Sequence, residues 1–117
     1  MTGGARPDER VPMIVALHPM GGNPVDFLPT FRRYRPRGRL ILPYGHPNGG
    51  GYIWYDSVRY DVAATTVTRE ADRLAAALVA LAAARPTVGK PIVTGFSQGG
   101  IMTFALAVTH PDALSAA

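Results

Sequence analysis

Gly95-Phe96-Ser97-Gln98-Gly99-Gly100 is the stretch of this chain with the clearest capacity for chemistry. A short apolar run with β-branched residues, Pro91-Ile92-Val93-Thr94, precedes it. Ile101 to Val108 follows, apolar and long enough for a buried helix. Strand, Gly-x-Ser-x-Gly, helix is the setting of a nucleophile elbow, where a serine sits at a sharp corner with its hydroxyl clear of the backbone. The corner needs glycines, because a Cβ on either side would collide with the neighbouring strand or helix. The helix N-terminus that follows presents N–H groups and a dipole that favour developing negative charge. The chemistry this predicts is nucleophilic attack by Ser97; the plainer alternative is a Gly/Ser-rich turn that only joins a strand to a helix.

The elements that must position Ser97 are legible along the chain. Val11 to Leu17 is a continuous apolar run, suited to a strand buried on both faces of a parallel sheet. It ends in a turn-forming loop, His18-Pro19-Met20-Gly21-Gly22-Asn23. Pro24 opens a helix whose apolar face carries Phe27, Leu28 and Phe31, and which fades by Arg35-Pro36. Arg39 to Leu42 is a second short strand, stopped by Pro43. The segment from Tyr44 to Val58 reads as one long loop, rich in Gly, Pro and aromatics, ordered and lining a pocket. A helix starting between Asp61 and Thr66 buries Val67, Ala71, Leu74, Leu78 and Leu81, and closes at Arg85-Pro86. The third strand spans Lys90 to Thr94, and the last helix ends at His110-Pro111. The order is β-α-β-α-β-α.

With 117 residues the chain makes one domain at most. Residues 1–10 read as a flexible lead-in without the apolar stretch of a signal peptide, and no segment is long and apolar enough to span a membrane. There is no cysteine, so neither a disulfide framework nor a thiolate zinc site is available. A cytoplasmic location is the default expectation. The net charge of +4 is carried mainly by arginine, with Arg32, Arg33, Arg35, Arg37 and Arg39 close together. That cluster admits a nucleic-acid reading, but no nucleic-acid module surrounds it, and a solvated surface explains it as well.

Two motifs then support each other. Leu17 to Asn23 resembles the His-Gly-x-Gly oxyanion loop of the α/β-hydrolases. Gly95 to Gly100 resembles the Gly-Phe-Ser-Gln-Gly-Gly elbow of their phospholipase/carboxylesterase branch, the acyl-protein thioesterase-like family. Pro43 and Tyr52-Ile53-Trp54-Tyr55-Asp56 look like that branch's aromatic loop, and the similarity covers nearly all of residues 11–117. The resemblance implies a three-layer α/β-hydrolase-like core with a short, mostly parallel sheet. It implies a serine carboxylic ester hydrolase that acts on small or medium acyl esters through an acyl-enzyme on Ser97, with no metal or organic cofactor. The oxyanion donors map to the N–H groups of Met20 and Gln98, and His18 maps to a residue that organises the loop. Pro19 departs from the family's glycine, but Met20 keeps its N–H.

The family's catalytic Asp and His lie after the nucleophile, whereas this chain stops about one helix past Ser97. The expectation is therefore a single truncated hydrolase domain without the usual C-terminal strands. His46 is the candidate substitute base, in a loop at the same sheet edge as Ser97; it also reads as an ordinary loop histidine, and a histidine from another protomer is a further option. Asp56 and Asp61 would orient a base, or serve in capping and structural hydrogen bonds. Tyr52, Trp54 and Tyr55 either shape an acyl pocket or pack the loop. His110 marks a helix end. The strand before Ser97 becomes an edge strand, which invites a homo-oligomer, or else the chain is a fragment of a longer native gene product. The rival to the hydrolase is a weak or inactive fragment that oligomerises and binds acyl ligands.

Overall fold

The computed structural model describes residues 4–33, 37–56 and 60–116, with the backbone alone for 60–63. Three parallel strands form the central sheet: β1 (Met13–Leu17), β2 (Arg39–Ile41) and β5 (Ile92–Gly95), in the order β2-β1-β5. The apolar run that predicted β1 is explained by its central place, since a middle strand of a parallel sheet is covered on both faces. Ile14 lies opposite Leu40 and Ile92, and Val15 opposite Ile41 and Val93. Val11 stands apart from the strand and makes an isolated bridge to Thr87.

Side chains alternate along each strand, so Met13, Val15, Leu17 and Val93 share one face. Helices α2 (Tyr60–Ala84) and α3 (Gln98–Thr109) close over that face, burying Ala71, Leu74, Ala75 and Leu78 from the first and Met102 and Leu106 from the second. The stripe predicted for α2 is thus its core face, with Val67 and Leu81 partly buried at its ends. Helix α1 (Pro24–Phe27) is a single turn, capped by the Asn23 side chain, which accepts from the Asp26 N–H at 2.9 Å. It runs into a 3₁₀ turn, Leu28–Phe31. Phe27 and Phe31 pack edge to face with ring centroids 5.2 Å apart, while Leu28 is exposed.

Three expectations change. The segment after Pro43 is not without regular structure: it holds a hairpin of β3 (His46–Asn48) and β4 (Gly51–Ile53). Asn48 pairs with Gly51, so Gly49-Gly50 forms a two-residue turn, and Gly49 takes the positive φ (62°) that such turns require. Arg39 is not a solvated surface residue. It is buried, and its guanidinium donates to the carbonyls of Arg6, Pro7, Glu9 and Pro86. One charged side chain thereby ties residues 6–9 and the end of α2 to the sheet. Arg37 pairs with Glu9 at the surface, and its hydrogen bonds hold that carboxyl down at a pKa of about 2. Arg35 lies outside the described residues. Finally, α3 is not a fully buried helix: Ile101, Phe104 and Val108 face outward.

β5 sits at the sheet edge, with Ala116 making one bridge to its outer side beside Ile92. Among the described residues no helix is long and apolar enough to cross a membrane.

Candidate active site

The chain passes from β1 to β2 on one side and later returns to β5 on the other, so the strand order reverses at β1. In open parallel sheets the carboxyl ends of strands at such a reversal border a crevice where ligands bind. Here those ends lead into His18–Asn23 from β1 and into the Ser97 corner from β5.

Ser97 has φ 55° and ψ −118°, and it is the only non-glycine residue with positive φ among those described. A strained conformation of this kind persists only where its surroundings hold it. Those surroundings explain the glycines. A Cβ on Gly95 would run into the backbone of Gly99 and Gly100, and a Cβ on Gly99 would run into the carbonyls of Leu17 and His18. β5, β1 and the first turn of α3 are packed backbone to backbone, and the corner has no room to open. Ser97 is exposed, stands at the N-cap of α3, and makes no capping bond with its side chain.

The facing loop is equally fixed. Gly22 N–H donates to Pro19 O at 3.1 Å, and Gly21 has φ 78°, a turn that needs glycine at its third position and sets Met20 at the corner. Gly21 N–H then donates to Tyr52 O (2.8 Å) and Tyr52 N–H to Gly22 O (3.0 Å), joining the loop to β4.

His18 is fully buried and works as an internal brace. Its Nε2 accepts from Gly45 N–H at 3.0 Å, which leaves Nδ1 to donate to Pro19 O at 2.8 Å. Its ring stacks on Trp54 at 4.7 Å, and Trp54 Nε1–H donates to the His18 carbonyl at 2.8 Å. Gln98 completes the frame: its side-chain oxygen accepts from Trp54 N–H, and its amide donates to Tyr55 O, each at 2.8 Å. The residue after the serine therefore grips the aromatic segment with its side chain, a role the sequence reading did not foresee. The signal was the amide itself, since a buried glutamine must find partners for both ends.

The other two histidines point elsewhere. His46 Nε2 lies 2.9 Å from the Glu70 carboxylate and 2.7 Å from Arg73, both on α2. His110, the C-cap of α3, lies 2.7 Å from Asp72. All three histidines of the chain thus hold partners other than Ser97. The side chain of Asp61 is outside the described set, and among the described residues no three His, Cys, Asp or Glu side chains converge as metal ligands.

The aromatic residues divide as well. Trp54 and Tyr55 belong to the core, and burial pushes the Tyr55 phenol above its usual pKa. They border a cavity of about 330 Å³ on the α2 side, together with His46, Asp56, Glu70 and Arg73. Tyr52 packs against Tyr44. The cavity beside the serine corner, about 520 Å³, is lined instead by Pro19, Phe27, Thr30, Phe31 and residues 94–96 of β5 and its end. Sequence reasoning looked for a pocket in the aromatic loop because three rings cluster there; only the register of the fold brings α1 beside Phe96.

This geometry agrees with what the chain is similar to. No protein-family model matches it. An acetylxylan esterase of Coprinopsis cinerea is 33% identical over 114 residues, covering 89% of this chain and 29% of that protein. A carboxylesterase from Mesorhizobium loti superimposes with a TM-score of 0.77 at 21% identity, over 91% of this chain and 52% of the other. The esterase PE8 does so with a TM-score of 0.70 at 26% identity, over 94% and 55%. The fold is that of the α/β-hydrolases. The chain spans about half the length of these solved structures and less than a third of the acetylxylan esterase.

Proposed function

We propose that this chain carries the nucleophile and oxyanion loop of a serine carboxylic ester hydrolase of the acyl-protein thioesterase-like kind. The observation that carries the proposal is the backbone of Ser97, a non-glycine residue held at φ 55° where β5 meets α3. The names of the similar proteins support ester hydrolysis as the reaction.

In this reading Ser97 Oγ attacks the ester carbonyl carbon and the oxyanion is held by the N–H groups of Met20 and Gln98. Such donors are worth about 3 kcal/mol each in the transition state. The C–O bond to the alcohol breaks, the serine proton leaves with the alcohol, and water then releases the acid from the acyl-enzyme. The proton needs a carrier. His18 is committed to two backbone groups, and His46 and His110 are turned to carboxylates of α2 rather than to Ser97, so this reading takes the base from outside a single chain, and a carboxylate-paired histidine of a second copy, His46 or His110, is one such base. Self-association fits the exposed apolar residues around β5 and α3, which include Ile92, Phe96 and Phe104. The same commitment of the histidines favours a second reading, an acyl-binding unit without turnover.

Hydrolysis of p-nitrophenyl acetate by the wild type and by Ser97→Ala separates the two. A wild-type rate above buffer, lost in Ser97→Ala by at least about 10³-fold, is the outcome expected of a nucleophile. Equal rates at the buffer level leave the acyl-binding reading.

A further inference from the structure

Among the described residues, no charged side chain lines the cavity of about 520 Å³ beside the serine corner. Phe27 and Phe31, set at 85° to one another, form one side, with Thr30 at the rim. Pro19 and Phe96 form the other side, and these are the residues immediately before Met20 and Ser97. The wall therefore starts one residue from the nucleophile and one residue from the oxyanion loop's donor. The cavity on the α2 side differs in kind, since His46, Asp56, Arg69, Glu70 and Arg73 all border it.

We propose that the Phe27–Phe31 cavity receives the acyl group of the ester and selects chains longer than acetyl. The proposal rests on the reading of Ser97 as the nucleophile and adds the acyl class to it. A carbonyl carbon held between Ser97 Oγ and the loop turns its substituents to either side, and the apolar, uncharged side is this cavity. An acetyl methyl group, about the size of a water at roughly 30 Å³, fills a small part of it. Each methylene buried against Phe27, Phe31 and Phe96 raises kcat/KM about fourfold while the chain remains within the cavity. The uncharged wall turns away dicarboxylic acyl groups, whose second carboxylate finds no partner there.

The experiment has two readouts. The first is kcat/KM for p-nitrophenyl acetate, butyrate, hexanoate and octanoate. The second is binding of free octanoate and free acetate, followed through the backbone amide resonances of Phe27, Thr30, Phe31 and Phe96. Thr30→Trp fills the cavity from its rim, and Phe31→Ala enlarges it, so the two variants must shift the preference in opposite directions. The expected result is octanoate binding confined to those four residues in the wild type, weakened at least tenfold in Thr30→Trp. The octanoate-to-acetate ratio of kcat/KM falls by a similar factor in Thr30→Trp and moves toward longer chains in Phe31→Ala. Octanoate binding without turnover of any ester, and lost in Thr30→Trp, upholds the cavity and sinks the hydrolase reading. Ester turnover with no octanoate binding, or binding that neither variant alters, overturns the cavity and leaves Ser97 untouched.

Discussion

Along α2, the buried residues Ala71, Leu74, Ala75 and Leu78 are separated by exposed Asp72, Arg73, Ala76 and Ala77. Along α3, Met102, Thr103 and Leu106 face the core, while Ile101, Phe104 and Val108 face outward at 51%, 72% and 62% exposure. Both helices pack on the same face of the sheet, yet only α2 declares its inner face by contrast with an outer one of mostly charged and small residues, Val79 excepted. A helix that is apolar all round is ordinarily buried all round. In this chain the outer side of α3 carries exposed Ile101, Phe104 and Val108, and Ile92 and Phe96 are exposed along β5 and at its end. The difference teaches that α2 sorts its residues between core and solvent, whereas α3 carries large apolar residues on both its inner and its outer side.

The comparison breaks most easily at the core. Leu78 is 3% exposed and packs within the α2 stripe. Leu78→Ala should cost about 3 kcal/mol, from lost burial and the cavity left behind. Urea unfolding measures this, and a loss below about 1 kcal/mol would mean that α2 is loosely seated and no better packed than the outside of α3.

How much of this was legible in the sequence follows from the same physics. The serine corner was legible because its constraints are local: Gly95, Ser97 and Gly99 are fixed by backbone contacts within one strand-to-helix turn and the adjacent β1. The α2 stripe was legible because its spacing contrasts with charged and small residues outside. The β3–β4 hairpin was missed because Pro47 argues against a strand, although Gly49-Gly50 between the two short runs is a hairpin signal. Arg39 was missed because burying an arginine depends on four carbonyls from residues 6, 7, 9 and 86, far apart in the chain. The pairing of His46 with Glu70 is likewise a tertiary fact, invisible from either residue's neighbours.

The inner end of α3 is the next place to press. Gln98 joins two backbone groups, the N–H of Trp54 and the carbonyl of Tyr55, in a buried position. Gln98→Ala leaves both without their partner, at about 1–3 kcal/mol for each buried group that stays unpaired. The expected loss of stability is at least about 2 kcal/mol, with near-ultraviolet circular dichroism of Trp54 weakened because its backbone is no longer held. A variant as stable as the wild type, with an unchanged Trp54 signal, would show that His18 alone braces the aromatic segment.

The smallest stability effect belongs to the outer face of α3, and it is the one that sharpens the contrast between the helices. Phe104 is the most exposed of the stripe and makes no part of the core cluster. Phe104→Gln should therefore change monomer stability by no more than about 0.5 kcal/mol, as surface substitutions do. Its effect should appear in association instead. Exposed apolar residues on a helix at the sheet edge draw chains together, so light scattering of the wild type should show mass rising with concentration, and Phe104→Gln should shift that rise to higher concentration. A stability loss above about 1 kcal/mol would mean that Phe104 is already covered within a single chain in solution. An unchanged concentration dependence would move self-association away from α3, and with it the route by which a second copy's histidine could reach Ser97.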